Sequence, residues 1–368
     1  MISTNGRTAR LAAGALALAA LAWAARDVPA ALGARPSGDR AGRVRRSRQF
    51  RGGAFRNTQP SPILPPGVRR QVIRDLLFGR EPKRPRLPVP LATPGSPSGG
   101  DLDAVWYGHS SVLVEIEGRR VLLDPVWSER CSPVSFTGPR RLHPPPVPLY
   151  ELPELHAIVI SHDHYDHLDM ATVRELVRTQ SAPFLVPLGV GAHLERWKVP
   201  ASRIVELDWD EEAVVGGLRF VATAARHFSG RAFRRDGTLW ASWVIAGERR
   251  RVFYTGDSGY FDGYAEIGAE HGPFDLSVIQ IGAYSAGWPD IHMTPEEAIL
   301  AHVDVRADLL LPVHWGTFSL SAHAWGDPVD RLWREAKNRG VRLVVPRPGQ
   351  RVAAGDPPPV DGWWQTIA

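Results

Sequence analysis

The sequence predicts a layered α/β fold, with one large domain behind a non-globular front. Three observations carry this expectation. Apolar runs of strand length recur beyond residue 100 and alternate with stretches of helical spacing. Four of these runs, 155–160, 218–224, 251–256 and 309–313, lead into a histidine or an aspartate, which is where layered α/β sheets gather functional groups, at the carboxyl ends of their strands. The 368 residues would allow two domains by length, but charge and composition separate the first hundred from a single continuous body.

The front is basic. Residues 1–100 hold 18 Lys and Arg against 4 Asp and Glu, and residues 101–368 hold 26 against 35. An acidic body argues against a nucleic-acid enzyme, whereas a basic front suits an anionic membrane surface. After Arg7 and Arg10, the charge-free, Ala- and Leu-rich run 11–25 reads as a signal peptide or membrane anchor occupying 1–29, with Ala22-Trp23-Ala24 as a small-x-small cleavage site. The expected location is therefore exported or membrane-anchored, in a bacterial periplasm or cell membrane. Residues 30–100 read as a basic, Pro/Gly-rich extension: 30–53 is expected to be disordered, 68–78 has helical spacing, and 81–100, with six prolines, is an extended connector. Cys131 is the one cysteine, which rules out an intrachain disulfide and a Cys-rich zinc site.

The folded body is expected over 101–352, with a C-terminal tail over 353–368. Residues 111–124 alternate and turn at Glu117-Gly118, a β-hairpin opening the first sheet and bracketed by His109 and Asp124. The proline-rich 139–148 must be a loop, offering Arg140 and Arg141 as phosphate contacts or as solvated cations. A helix is expected over 168–179, a strand over 182–187 and a helix over 191–197; the acidic 206–217 has turn character. Strands follow at 240–246, 251–255 and 275–281. Thr294-Pro295-Glu296-Glu297 carries an N-cap, a first-turn proline and a capping-box glutamate, so a helix begins there and holds His292 just before its N-terminus. The last helix opens at Asp327-Pro328, stops at Gly340 and leads to a strand over 341–345.

The chemistry is concentrated in Ser161-His162-Asp163-His164-Tyr165-Asp166-His167, an H-x-H-x-D-H pattern behind the run 155–160. Imidazole nitrogens and carboxylate oxygens on a rigid strand end suit Zn(II). Four such ligands this close in sequence cannot all reach one tetrahedral ion without strain, which favours two metals and requires further ligands from elsewhere. His227, Asp257 and His314 stand in equivalent places, after the other three runs.

The H-x-H-x-D-H pattern, His227, Asp257 in Thr-Gly-Asp-Ser-Gly-Tyr and His314 in Val-His-Trp-Gly-Thr-Phe together resemble the metallo-β-lactamase superfamily. Within it the chain looks most like the N-acylphosphatidylethanolamine-hydrolysing phospholipase D family and its bacterial relatives. The stretches that carry this are 50–57 (FRGGAFRN), 106–112 (WYGHSSV), 123–126 (LDPV) and 292–298 (HMTPEEA). The resemblance implies a four-layered αβ/βα sandwich. It implies that His162, His164 and His227 bind one zinc, that Asp166, His167 and His314 bind the second, and that Asp257 bridges them. It makes Asp124 a structural group near the ligands, and Asp166, Asp257 and His292 the residues acting in catalysis.

Two Zn(II) ions about 3.5 to 4 Å apart lower the pKa of a bridging water toward ~7 and supply hydroxide for in-line attack. The resemblance implies a phosphodiesterase of the phospholipase D type on N-acylphosphatidylethanolamine-like lipids, in contact with a membrane surface. The alternative is a lactonase or soluble-phosphodiester hydrolase on the same two zincs. A non-catalytic zinc-binding module is a third reading, disfavoured by so complete a ligand set. The segment 285–291 departs from the more charged and aromatic stretch of the relatives, which bears on head-group selectivity and not on metal binding.

Overall fold

The computed structural model describes Gly14 and residues 26–62, 64–231 and 234–368. The expected leader over 11–25 lies outside the described residues apart from Gly14. Among the described residues, no helix is long and apolar enough to cross a membrane.

Two seven-stranded sheets face each other. The first contains β1 (Leu102–Gly108), β2 (Ser111–Ile116), β3 (Arg119–Leu123), β4 (Ala157–Val159), β5 (Phe184–Pro187) and β6 (Ile204–Leu207). The second contains β7 (Glu212–Val215), β8 (Leu218–Thr223), β9 (Ser242–Ala246), β10 (Arg251–Tyr254), β11 (Phe274–Gln280), β12 (Ala307–Val313) and β13 (Arg342–Leu343). The edge strand β14 (Arg351–Ala353) then returns to pair with β1 in the first sheet. Alternation along the strands sorts the side chains. Leu102, Ala104 and Trp106 of β1 enter the core between the sheets, while Val105 and Tyr107 face a second cluster outside.

That outer cluster is covered by α3 (Met170–Thr179) and α4 (Gly191–Arg196), through Val173, Leu176 and Leu194. Over the second sheet lie α5 (Gly263–His271), α6 (Pro295–Asp304) and α7 (Asp327–Arg339), contributing Ile267, Ile299 and Leu332. The result is the expected four-layered αβ/βα sandwich. The capping box at Thr294 and Glu297 forms as read, and Gly340 ends α7 in the left-handed region at φ 66°.

The N-terminal segment corrects the sequence reading. Residues 30–53 are folded on the body: α1 (Gly38–Arg46) buries Val44, and Phe50–Arg51 pairs with Ala54–Phe55 in a hairpin whose two turn glycines sit at φ 61° and 81°. Arg40 pairs with Glu195 and Glu206, and Arg43 with Glu211, so part of the basic front is neutralised within the chain. The helix expected near 68–78 is α2 (Arg69–Phe78), numbered before α3 in chain order, with Val72 buried. The connector 81–100 is extended, bonding to Pro348 and Ile367 through Ala92 and Arg86. The tail is equally tied down, with Trp363 and Trp364 in the core.

His302 of α6 is buried, with Nδ1 2.8 Å from the Ser277 hydroxyl on β11. Burial pushes its imidazole down to about 4. The unfolded chain therefore takes up this proton first as pH falls. The group's contribution to stability is complete above about 6.5, is lost progressively between 6.5 and 4, and is constant below that. At about 1.4 kcal/mol per unit, the loss approaches ~3 kcal/mol. His302→Gln should lose correspondingly less stability than the parent between pH 7 and pH 4.5, measured by urea unfolding with metal removed; an unchanged pH slope would show that this histidine does not set it.

Candidate metal centre

Each candidate ligand leaves a strand at its carboxyl end. The loop after β4 carries His162 to His167, the segment after β8 carries His227, the turn after β10 carries Asp257, and His314 follows β12 directly. The two sheets are joined at this rim by the His314 amide, which donates to the His109 carbonyl at 3.0 Å. His109, Asp124 and His314 take up left-handed φ values of 50°, 35° and 64°, a strained geometry held by the surrounding bonds. Gly256, at φ 57°, cannot carry a side chain, because a Cβ there would lie 2.5 Å from Ser161 Cβ.

The rim brings all seven predicted ligands together, in two groups. In the first, His164 Nδ1 lies 2.8 Å from His162 Nε2 and 3.3 Å from His227 Nε2. In the second, Asp166 Oδ2 lies 3.3 Å from His314 Nε2 and 3.6 Å from His167 Nε2. Asp257 Oδ2 stands between the groups, 3.1 Å from both His167 and His314 Nε2, 3.8 Å from His227 Nε2 and 3.9 Å from His162 Nε2. His292 Nε2 is 4.0 Å from the same oxygen. His164, Asp166 and His292 are partly exposed and mark the open side; the other ligands are buried.

These groups fit a cation. Among the described residues, the buried Asp257 Oδ1 has no hydrogen-bond partner, and His167 Nε2 and His314 Nε2 approach Asp257 Oδ2 at 3.1 Å without the geometry of a hydrogen bond; such atoms are costly unless something else binds them. Burial and then neighbouring imidazoles hold His162 well below the usual histidine range; burial likewise holds His227 there, so both offer lone pairs. Burial acts to raise the Asp257 carboxyl, but His167, His314 and His292 outweigh it and hold the group well below the usual range. Burial opposes charge on His167, but Asp257, Asp166 and Asp124 outweigh it and hold this imidazole well above its usual range. The carboxylates thus draw positive charge, whether proton or metal, to the centre.

A second set of groups aims the ligands. Asp124 Oδ2 meets His167 Nδ1 at 2.6 Å, its Oδ1 accepts from the Ser161 amide at 2.7 Å, and the Tyr254 hydroxyl donates to it. His227 Nδ1 meets the Ile291 carbonyl at 2.8 Å. His109, kept out of the ligand set by the sequence reading, meets Asp166 Oδ2 at 3.0 Å through Nε2. Arg141 is neither a phosphate contact nor solvated: it is buried and donates to the carbonyls of Val126, His143 and Tyr107. Sequence reasoning missed Tyr254 and also Asn57, whose amide holds the backbone of His227. The one signal was the FRGGAFRN stretch itself, a Gly-Gly hairpin presenting that asparagine.

Residues 119–315 match the model of the β-lactamase superfamily domain, and that span contains every candidate ligand. The chain belongs to the metallo-β-lactamase superfamily. As a member it is a metal-dependent hydrolase. An uncharacterized protein of Mycobacterium tuberculosis is 51% identical over 369 residues, covering 98% of this chain and 99% of that protein, so the likeness includes the N-terminal segment. The N-acyl-phosphatidylethanolamine-hydrolyzing phospholipase D 1 of Caenorhabditis elegans is 38% identical over 244 residues, 63% of this chain and 68% of that protein. Among solved structures, a possible metal-dependent hydrolase from Veillonella parvula superposes with a TM-score of 0.55 at 16% identity, covering 69% of this chain and 99% of that one. This last likeness shows the fold.

Proposed function

We propose that this member of the superfamily is a two-zinc phosphodiesterase of the phospholipase D type, acting on N-acylphosphatidylethanolamine-like lipids. The observation that carries the reading is the position of Asp257 Oδ2, within 3.9 Å of ring nitrogens from both ligand groups, as a carboxylate shared by two cations requires. His162, His164 and His227 would hold one ion, and Asp166, His167 and His314 the other. Bound zinc would supply an acidified water as nucleophile and neutralise charge developing on the phosphoryl oxygens.

The chain's own residues supply the rest. His109 and Asp124 fix the orientation of Asp166 and His167, and His292 stands on the open side within reach of a bound ester. Val126, Cys131 and Phe318, with Tyr165 and Leu320 packed on them, form an apolar cluster beside this mouth, and Phe318 lies 5.2 Å from the His109 ring. Val126, Cys131 and Phe318 are themselves buried, and the half-buried Tyr165 and Leu320 are the part of this cluster that an acyl chain would meet. The C. elegans relative points to the same substrate class. The reading includes an exported or membrane-anchored location, supported by the leader-like run 11–25, and substrate taken from a membrane surface.

Metal analysis joined to a substrate screen tests this. Two zincs per chain are expected, with N-acylethanolamine and phosphatidate released from vesicles containing N-acylphosphatidylethanolamine, abolished by a chelator and restored by zinc. Turnover of lactones with none of any phosphodiester would sink the lipid reading in favour of the lactonase alternative.

A further inference from the structure

The segment between the leader-like run and α2 reaches the metal centre at two separate points, once through intervening side chains and once directly. At the first, the chain's own backbone is read by buried side chains of the body. Trp197 Nε1 donates to the Ala30 carbonyl at 2.7 Å and Arg231 Nε to the Ala31 carbonyl at 2.9 Å, while the Ala34 amide donates to His193 Nδ1 at 2.9 Å. His193 Nε2 continues to Asp163 Oδ2 at 3.2 Å, and Asp163 is the residue between His162 and His164. Arg231 closes this contact from the other side, donating through Nη1 to the carbonyls of Asp163 and Leu168 at 2.7 and 2.8 Å. Gly33 sits here at φ 80°, where a Cβ would fall 2.1 Å from His193 Nδ1.

The second contact is Asn57. Its Nδ2 donates to the His227 carbonyl at 2.8 Å, and its Oδ1 accepts from the His227 amide at 3.1 Å and from Trp240 Nε1 at 3.0 Å. An asparagine amide, with a donor and an acceptor on one short side chain, can in this way bond both the N–H and the C=O of a single residue. Between the two contacts, Arg40 and Arg43 of α1 are paired with Glu195, Glu206 and Glu211, and the Gly-Gly hairpin buries Phe55 in the core and docks its amide on the Asp236 carbonyl at 2.8 Å.

We propose that residues 29–57 form a clamp that positions the metal centre, acting on His227 directly through Asn57 and on the His162–His164 loop through His193 of α4, which the clamp engages at Ala34. The clamp rests on the reading of this site as a metal centre and is independent of the substrate assigned to it. It also gives the uneven charge of the sequence a second use: a basic strap bound across an acidic body.

The test measures metal binding in the full-length protein. Asn57→Ala and His193→Ala should each weaken metal affinity about 10- to 100-fold in chelator competition, the usual cost of removing a group that aims a ligand. Both should also alter the visible absorption of the cobalt-substituted protein. Asn57→Asp keeps the acceptor for His227 and Trp240, loses the donor and sets a negative charge against the His227 carbonyl, so its affinity should also fall below the parent; it serves if the alanine variant does not fold. Val352→Ala, a core truncation in the edge strand β14, should lower the thermal midpoint with affinity and cobalt spectrum unchanged. If Asn57→Ala behaves like Val352→Ala, the clamp is only a packing element and the proposal falls. Because turnover is not read, a wrong substrate leaves the result standing, whereas a parent chain that binds no metal would overturn both readings.

Discussion

Asp257→Asn should lose metal and hydrolytic activity together, with turnover falling by about three orders of magnitude or more as several kcal/mol of charge stabilisation disappear. The substitution keeps the size and shape of the side chain and removes one negative charge. That charge sits where the structure is least able to do without it: Oδ2 faces nitrogens of His162, His167, His227, His292 and His314, all within 4.0 Å. An amide has one carbonyl oxygen to offer and an NH2 that would point at cations. Metal content after dialysis and turnover, both against the parent, decide the matter. Full metal occupancy with near-parental turnover would mean that Asp257 is a neighbour of the centre and not one of its ligands.

Much of this rim was legible because each ligand ends a short apolar run, and a histidine or aspartate there has few structural reasons to be present. The capping box at Thr294 and the hairpin turn at Glu117-Gly118 were legible for a similar reason, since both are local and need only residues a few positions apart. What the sequence hid was non-local. Segment 30–53 has the composition of a disordered linker, and it folds because Glu195, Glu206 and Glu211 await Arg40 and Arg43 more than 150 residues away in the chain. Strands β6 and β7 were missed inside an acidic stretch because they are the outer strands of their sheets, where charged side chains face solvent. Helix α5 escaped notice because glycines replace part of its apolar face: Gly268 lies against α6 so closely that a Cβ would meet the Asp304 carbonyl at 2.1 Å. Asn57 illustrates the limit most sharply. The FRGGAFRN stretch marks the asparagine as part of a Gly-Gly hairpin, but nothing in it names the partner, a histidine 170 positions later.

The buried carboxylate of Asp124 separates a group that aims the centre from one that merely packs beneath it. Asp124→Ala would leave the Ser161 amide, the Tyr254 hydroxyl and His167 Nδ1 facing a void at a fully buried position. Unsatisfied buried donors cost about 1–3 kcal/mol each, so the expected loss of folding stability is roughly 3 kcal/mol or more. Tyr254→Phe removes one of those donors and leaves the carboxylate in contact with His167, so it should cost only about 1 kcal/mol and keep the metal. The two variants must also diverge at the ligand. With Asp124 gone, His167 loses the partner that fixes its ring, and metal affinity should fall about 10- to 100-fold beyond any loss of folded protein. Urea unfolding and metal competition on both variants read these quantities separately. If Asp124→Ala lost stability but held metal as tightly as Tyr254→Phe, His167 would be fixed by the loop backbone alone, and the carboxylate would serve the fold rather than the chemistry.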